Sequence, residues 1–281
     1  MDHRVRARRV LVLGLLGLCL ATVASGQQRA GTRARDIQIE QFRPKWRVGD
    51  TWVVETTTLQ VQAADGQQQL SRSKPIQWQF AVRAIEKLQG QDCYRIEASP
   101  VLPGQSQAAT ILWVDRQSLG LRQVQSKLRV AGEERTMTES YRFTPGQSSP
   151  VQSPITALPV DLPVFVPNEA KGAQSFSYKA TTAIDEEKAF NDTAFLVNIE
   201  QELSPTDLEG VKSLLPEEFT KDLQARPVIE VRLKSVQGQV RQLWQAGAPW
   251  PVFADNGTTR ARLLEVKPAA PEGENVKEVK P

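Results

Sequence analysis

A close succession of strand-like segments constrains the fold of this chain more than any other feature. In the clearest one, residues 76–83, apolar Ile76, Trp78, Phe80 and Val82 alternate with Gln, Ala and Arg, the period-two pattern of a strand with one buried face. Short turn-like connections separate most of the six segments, and parallel pairing requires long crossovers, so we expect an antiparallel meander. The predicted strands are residues 51–63, 76–83, 93–99, 110–116, 119–130 and 134–143, within a 46–144 region.

A proline-rich segment interrupts this pattern. Six prolines lie between residues 145 and 167, and proline cannot donate a hydrogen bond to a sheet ladder. We therefore expect residues 145–168 to form an extended connection, either a linker between domains or a strap over the sheet. The 169–267 region is again β-rich, as a second domain or as part of the same one. Its predicted strands are residues 174–184, 193–203, 228–236, 240–244 and 260–266.

One helical segment is predicted at about residues 205–223. Ser204 is a suitable N-cap, Pro205 suits the first helical position, and apolar residues recur on one face up to Leu215. Pro216 interrupts the pattern before a second helical turn. The predicted fold class is mainly β: a twisted antiparallel sheet or half-barrel meander with one short helical segment.

The N-terminal residues 1–26 have the pattern of a secretory signal peptide. Four arginines precede an uncharged apolar stretch from Val10 to Ala24, and small residues at Ala24-Ser25-Gly26 suit signal peptidase. An uncleaved anchor is the alternative. The pattern predicts an exported protein, periplasmic or extracellular, that begins at Gln27. Polar residues 27–45 are expected to be a flexible lead-in, and charged residues 268–281 a disordered tail.

The composition of the exported chain excludes several function classes. The signal holds four of the 35 Lys and Arg residues and one of the 32 Asp and Glu residues, which leaves 31 of each. A neutral chain has no general attraction to nucleic acid. The signal also holds His3, the single histidine, so Ser-His-Asp and Cys-His catalysis are excluded. Cys93 is then the single cysteine, too few for an internal disulfide, and is expected to be a buried structural thiol.

The remaining sequence contains no complete catalytic or metal-binding motif, so we predict a non-enzymatic protein without metal or cofactor. Paired carboxylates are the one route to hydrolysis without histidine. The candidates are Glu133-Glu134, Asp185-Glu186-Glu187 and Glu217-Glu218, for which solvated surface charge is the simpler interpretation.

Aromatic residues on predicted strands supply the candidate ligand-binding residues Trp52, Trp78, Phe80 and Trp113. Large aromatic side chains on a strand usually pack the core of a sheet. Alternatively, one sheet face lines a cavity for an apolar ligand, because curved sheets with a helical cover commonly form such pockets.

Two motifs carry a resemblance to a known family. Trp46-Arg47-Val48-Gly49-Asp50-Thr51-Trp52, together with Ile111-Leu112-Trp113-Val114-Asp115-Arg116 and Leu119-Gly120-Leu121-Arg122, is similar to segments of secreted bacterial proteins related to the outer-membrane lipoprotein-sorting carriers. The resemblance spans about residues 46–143. It implies an open, bent antiparallel half-barrel, closed on its concave side by helices or a strap, with a cavity for lipid acyl chains.

These observations lead to one functional expectation and two alternatives. We expect an exported, non-enzymatic protein that binds an apolar ligand such as a lipid on a concave sheet face. The first alternative is a structural or protein-interaction module of the cell envelope, which would present an exposed apolar patch. The second is the carboxylate-based hydrolase.

Overall fold

The computed structural model describes residues 38–64, 67–102, 109–143, 171–188, 193–206, 212–221, 226–235 and 238–270. The predicted signal peptide, most of the predicted lead-in and the predicted proline-rich connection lie outside the described residues. The strands are β1 (Thr51–Ala64), β2 (Gln67–Arg72), β3 (Ile76–Leu88), β4 (Gln91–Pro100), β5 (Ala109–Asp115), β6 (Leu121–Val130), β7 (Glu133–Phe143), β8 (Lys171–Ile184), β9 (Glu187–Lys188), β10 (Thr193–Pro205), β11 (Val228–Ser235), β12 (Gly238–Gln245), β13 (Phe253–Asp255) and β14 (Thr259–Lys267).

The described strands pair antiparallel in one sheet. Its order is β10-β11-β12-β13-β14-β1-β3-β4-β5-β6-β7-β8-β9, with β2 paired to β1 off this path and an additional β8–β10 pairing. The second half of the chain is therefore joined to the first half through β14–β1 and again through β7–β8. The predicted fold class, mainly β with an antiparallel meander and little helix, is confirmed.

The meander buries one face of its strands. Residues that are direct partners on neighbouring strands lie on the same face of a sheet. Trp52 pairs with Phe80, Phe80 with Ala98, and Val82 with Ile96, and all five are buried. The core therefore forms on the face predicted from the alternation in residues 76–83.

The β11–β12 hairpin differs because both of its faces are covered. Ile229 pairs with Trp244 on one face, where the short 3₁₀ helix Ile39–Phe42 packs through Phe42. On the other face Val228 pairs with Gln245, whose Nε2 donates to the carbonyl of Phe219 (3.2 Å) in helix α1 (Glu217–Thr220). Two segments that are distant in sequence thus enclose this hairpin.

Four sequence predictions need correction. Ser204 and Pro205 end β10 and do not begin a helix; they face Glu230 and Ile229 in the neighbouring strand, and this pairing overrides the local helix signals. The described helical residues of the predicted 205–223 segment are Lys212–Leu214, a 3₁₀ turn, and α1.

The other corrections concern a predicted loop and the two ends. Residues 67–72, which are not among the predicted strands, form β2 because β1 extends beyond the main sheet and pairs with them. At the N-terminal end Phe42 is buried, so residues 38–45 are not a free lead-in. At the C-terminal end Ala269 is hydrogen-bonded to Asp50, so residues 268–270 are not part of a free tail. Among the described residues, none of the helices has the length and apolar character needed to cross a membrane.

Candidate functional site

A tight turn at the start of β1 organises a surface cleft among the described residues. The main-chain N–H of Asp50 donates to the carbonyl of Arg47 (3.0 Å), and Gly49 has a φ of 97°, in the left-handed region that favours glycine. Gly49 N donates to the carbonyl of Val82, and Val82 N donates to the carbonyl of Asp50. The turn is therefore fastened to β3 by two main-chain hydrogen bonds.

The Asp50 carboxylate holds this turn and the C-terminal segment together. Its Oδ2 accepts from the N–H of Arg47 (2.6 Å), and its Oδ1 accepts from the N–H of Ala269 (2.7 Å). A Cβ placed on Gly49 would lie 3.0 Å from the Cβ of Ala269. Glycine at this position thus permits both the positive φ of the turn and the close approach of the C-terminal segment.

The two tryptophans that flank the turn stack on each other. The ring centroids of Trp46 and Trp52 are 5.8 Å apart with an interplanar angle of 8°, and Trp46 Nε1 donates to the carbonyl of Pro249 (2.9 Å). Trp52 also stacks on Phe80 (5.5 Å), and Trp250 packs against both of these rings. Each such pair contributes about 0.5–1.5 kcal/mol beyond its buried area.

A cleft of about 440 Å³ opens beside this aromatic cluster. Its volume is within the range of small-ligand sites, about 300–1,000 Å³. Three separate parts of the chain build it: residues 41–52, the turn after β12, and the end of β14. Its apolar walls come from Trp46, Trp52, Pro249, Val266 and Pro268. We call this feature the turn cleft.

Trp52, which lines the turn cleft, carries a buried donor without an acceptor. Trp52 is almost fully buried, and its Nε1 has no hydrogen-bond partner among the described residues. Burying an N–H without an acceptor costs about 1–3 kcal/mol. Cationic Arg43, Lys45 and Arg47 also line the cleft, against one acidic residue, Asp50.

The structure brings together three of the four predicted ligand-binding residues. Trp52, Trp78 and Phe80 lie on the core face of β1 and β3, where all three are buried; Trp78 Nε1 donates to Thr56 Oγ1 (3.1 Å). Trp113 pairs with Arg95 and Gln123 on the opposite face, half-buried, and its Nε1 donates to Glu86 (3.0 Å). Trp52 is the member of this set that lines the turn cleft.

Asp115, in the second motif of the resemblance, organises the turn between β5 and β6. Its Oδ1 accepts from the N–H of Ser118 (2.8 Å) and from Ser118 Oγ (2.9 Å), and its Oδ2 pairs with Arg122 (3.1 Å). Burial alone would raise the pKa of Asp115, but these hydrogen bonds and the Arg122 charge outweigh it and lower the pKa. The motif therefore builds a turn.

Cys93 lies near the start of β4 and pairs with Asp115 on β5. Burial, aided by the negative charge of Asp115, raises the pKa of the Cys93 thiol to about 11. The thiol is therefore protonated at neutral pH and unsuited to nucleophilic attack.

Three of the candidate carboxylates are engaged in surface ion pairs. Glu133 and Asp185 both contact the exposed Arg135, at 2.6 Å and 2.7 Å, and Glu134 pairs with Lys127 at 3.0 Å. In the part of the chain that the structure describes, no group of three or more His, Cys, Asp or Glu residues is arranged to hold a metal ion.

Comparisons with protein-family models, with curated proteins and with solved structures gave no match. The relationship to the lipoprotein-sorting carriers therefore stays a prediction.

Sequence reasoning did not identify most of the turn cleft. Lys45, Arg47, Val266 and Pro268 carry no local signal of a shared site, because strand pairing between β1 and β14 brings them together. The flanking tryptophans of the Trp46–Trp52 motif were the one available indication.

Proposed function

We propose that this protein is an exported, non-enzymatic binding protein for an apolar ligand such as a lipid, and that the turn cleft is where the ligand binds. The observation that carries the proposal is the open cleft of about 440 Å³ beside the stacked rings of Trp46 and Trp52. The cleft combines aromatic and aliphatic walls with polar residues such as Lys45, Arg47 and Asp50, and apolar walls with placed polar groups are typical of small-molecule sites. The predicted signal peptide supports an envelope or extracellular location.

The position of the site differs from the expectation of a cavity on the concave sheet face. Trp52, Phe80 and Trp250 pack against each other with centroid distances of 4.7–5.6 Å, so these rings fill the space between them. Apolar ligand binding is therefore assigned to the edge of this cluster, where the turn and the end of β14 leave space.

Residues 27–281, expressed in the periplasm of a bacterial host, provide the first test. Native mass spectrometry of gently purified protein detects co-purifying lipid, and delipidated protein is then titrated with palmitate and with phospholipid while tryptophan emission is followed. We expect saturable binding. A protein that takes up neither ligand would rule out the proposal.

A matched pair of variants locates the binding site. Val266 lines the cleft as the direct partner of Trp52 and is 37% exposed, whereas Ile85 is 41% exposed and is not part of the cleft. Val266→Asn is expected to weaken palmitate binding about fivefold, through the loss of roughly 1 kcal/mol of apolar burial. Ile85→Asn is expected to leave binding unchanged. Equal effects of the two substitutions would place the ligand elsewhere.

A second candidate function, an interaction module of the cell envelope, is favoured by one feature. Val61 and Leu70 are direct partners on the β1–β2 arm, and they are 62% and 69% exposed. Paired exposed apolar residues on a sheet extension suit contact with another protein. If Val61→Asp abolishes crosslinking of the protein to envelope partners and lipid binding is absent, this function replaces the first.

A further inference from the structure

The turn cleft is asymmetric in charge, and this asymmetry identifies a chemical class of ligand. Of the three cationic side chains that line it, Arg43 is already engaged: its guanidinium pairs with Glu40 at 3.2 Å and donates to the carbonyl of Gln117 at 2.8 Å. Arg43 therefore fastens the N-terminal segment to the β5–β6 turn and is not available to a ligand.

Arg47 is available. Both oxygens of the neighbouring Asp50 carboxylate accept from main-chain N–H groups, those of Arg47 and Ala269. The Arg47 Nε lies 3.8 Å from Asp50 Oδ1, beyond hydrogen-bond distance, and the side chain is 61% exposed. Its guanidinium makes no hydrogen bond within the described residues.

Lys45 is the second available cation. Its side chain is exposed, lines the cleft, and has neither an ion pair nor a hydrogen bond to any described residue. Lys45 and Arg47 line the same cleft, and their two positive charges exceed the single negative charge of Asp50, which lies 3.8 Å from Arg47 Nε, so together they attract an anion. Val266 and Pro268 contribute apolar lining to the same cleft.

The unpartnered indole N–H of Trp52 is an independent indication of a ligand with an acceptor. Trp52 lines the same cleft, and a ligand oxygen that reached this N–H would remove the cost of burying it alone.

We propose that the turn cleft recognises an amphiphile with an anionic head group, which Lys45 and Arg47 bind while its apolar chain lies against Trp46, Val266 and Pro268. This inference rests on the proposed function and adds the chemistry of the head group. A fatty carboxylate and a lipid phosphate share this chemistry, and the experiment distinguishes them.

Three probes with the same apolar chain separate charge from apolar binding: palmitate, hexadecyl phosphate and methyl palmitate. We expect at least one of the two anions to bind about tenfold more tightly than the neutral ester, and the stronger anion identifies the head group. This preference is expected to shrink as salt is raised, because partly exposed charges are screened. Equal affinity for the ester and both anions would overturn the inference and leave the proposed function standing. Failure of all three to bind would overturn both.

Two substitutions test the residues without disturbing the turn, since Arg47 contributes only main-chain groups to its hydrogen bonds. Lys45→Gln and Arg47→Gln are each expected to lower the affinity for the preferred anion about threefold, with methyl palmitate binding and the thermal unfolding temperature unchanged. Lys74→Gln, an exposed lysine outside the cleft, is the control and is expected to have no effect. Unchanged anion affinity in the Lys45→Gln/Arg47→Gln double variant would contradict the assignment.

Discussion

Strand β4 and strand β11 bury their side chains in different ways. In β4 the buried residues Tyr94, Ile96 and Ala98 alternate with the partly exposed Arg95 and Glu97, so one face packs and the other meets solvent. In β11 the four residues from Val228 to Val231 are all buried. Strand β4 therefore has one buried face and one solvent-exposed face, whereas both faces of β11 are buried.

The difference follows from what covers each strand. The core face of β4 belongs to the main core, where Tyr94 packs edge-on against Trp46 at 5.4 Å, and its other face has no such cover among the described residues. In β11 one face joins the same core beside Phe219 of helix α1, and Phe42 covers the other. These two segments come from distant parts of the chain, and together they bury both faces of β11. A local hydrophobic pattern cannot report such a cover.

The largest expected effect comes from removing a tryptophan in each region. Trp244 is buried between β11 and the Phe42 segment, so Trp244→Ala is expected to lower the free energy of unfolding by about 3–5 kcal/mol. Trp113 lies half-buried on the outer face of the meander, and Trp113→Ala is expected to cost about 1 kcal/mol, chiefly its hydrogen bond to Glu86. Urea unfolding measures both. Equal losses would mean that the outer face of the meander is covered as well, and the contrast would fail.

Each region also contains a buried carboxylate, Asp115 in the meander and Glu230 in β11. The pH dependence of stability allows the two to be compared. Burial opposes the charged form of Glu230, but hydrogen bonds from Arg241 and Arg232 outweigh it and lower the pKa, as Ser118 and Arg122 do for Asp115. A carboxylate with a lowered folded-state pKa stabilises the fold above its unfolded-state pKa. That contribution is lost as the pH falls through the folded-state value.

We expect Asp115→Asn and Glu230→Gln each to cost about 2 kcal/mol at pH 7, and the difference from the unsubstituted protein to shrink below about pH 4. Denaturant unfolding, measured at about ten pH values from about pH 7 down to about pH 2.5, follows the loss of this contribution to the free energy of unfolding. A difference that stays constant with pH for one of the two variants would show that its carboxylate does not act through its charge.

The smallest effect is expected on the meander's solvent side. Lys127 and Glu134 form a 3.0 Å ion pair in which both side chains are more than half exposed. Glu134→Gln is expected to change the free energy of unfolding by less than about 0.5 kcal/mol, because exposed pairs gain little over hydrated charges. Unfolding at low and high salt checks this. A loss above ~1 kcal/mol would show that this face of the meander is less exposed to solvent than the outer face of β4.

The strands of the meander were predictable because each one carries its own pattern. The alternation from Ile76 to Val82 named the core face correctly, and turn residues marked the connections of β3–β7. Strand β2 was missed because its Gln-rich sequence has no such pattern and pairs only where β1 extends beyond the sheet. The predicted helix start at Ser204 and Pro205 was wrong because the pairing of β10 with β11 outweighs local capping signals.

The candidate site was less predictable than the fold. Trp52, Trp78 and Phe80 share a face, as their spacing indicates, but Trp113 lies on the other face after the register passes through β4. The cationic residues of the turn cleft could not be predicted from the sequence, because their role depends on the hydrogen bonds that the neighbouring acidic residue makes. The structure shows that both oxygens of Asp50 accept from main-chain N–H groups.

The sequence by itself determined the class of fold and the antiparallel meander, since these depend on local periodicity. Tertiary structure alone decided which faces are covered, where Trp46 and Trp52 stack, and how residues from the two ends of the chain form one cleft. The physical reason is that burial and pairing are properties of contacts between distant segments. A residue's own neighbours in the chain record its preference for a strand, and they do not record what will pack against it.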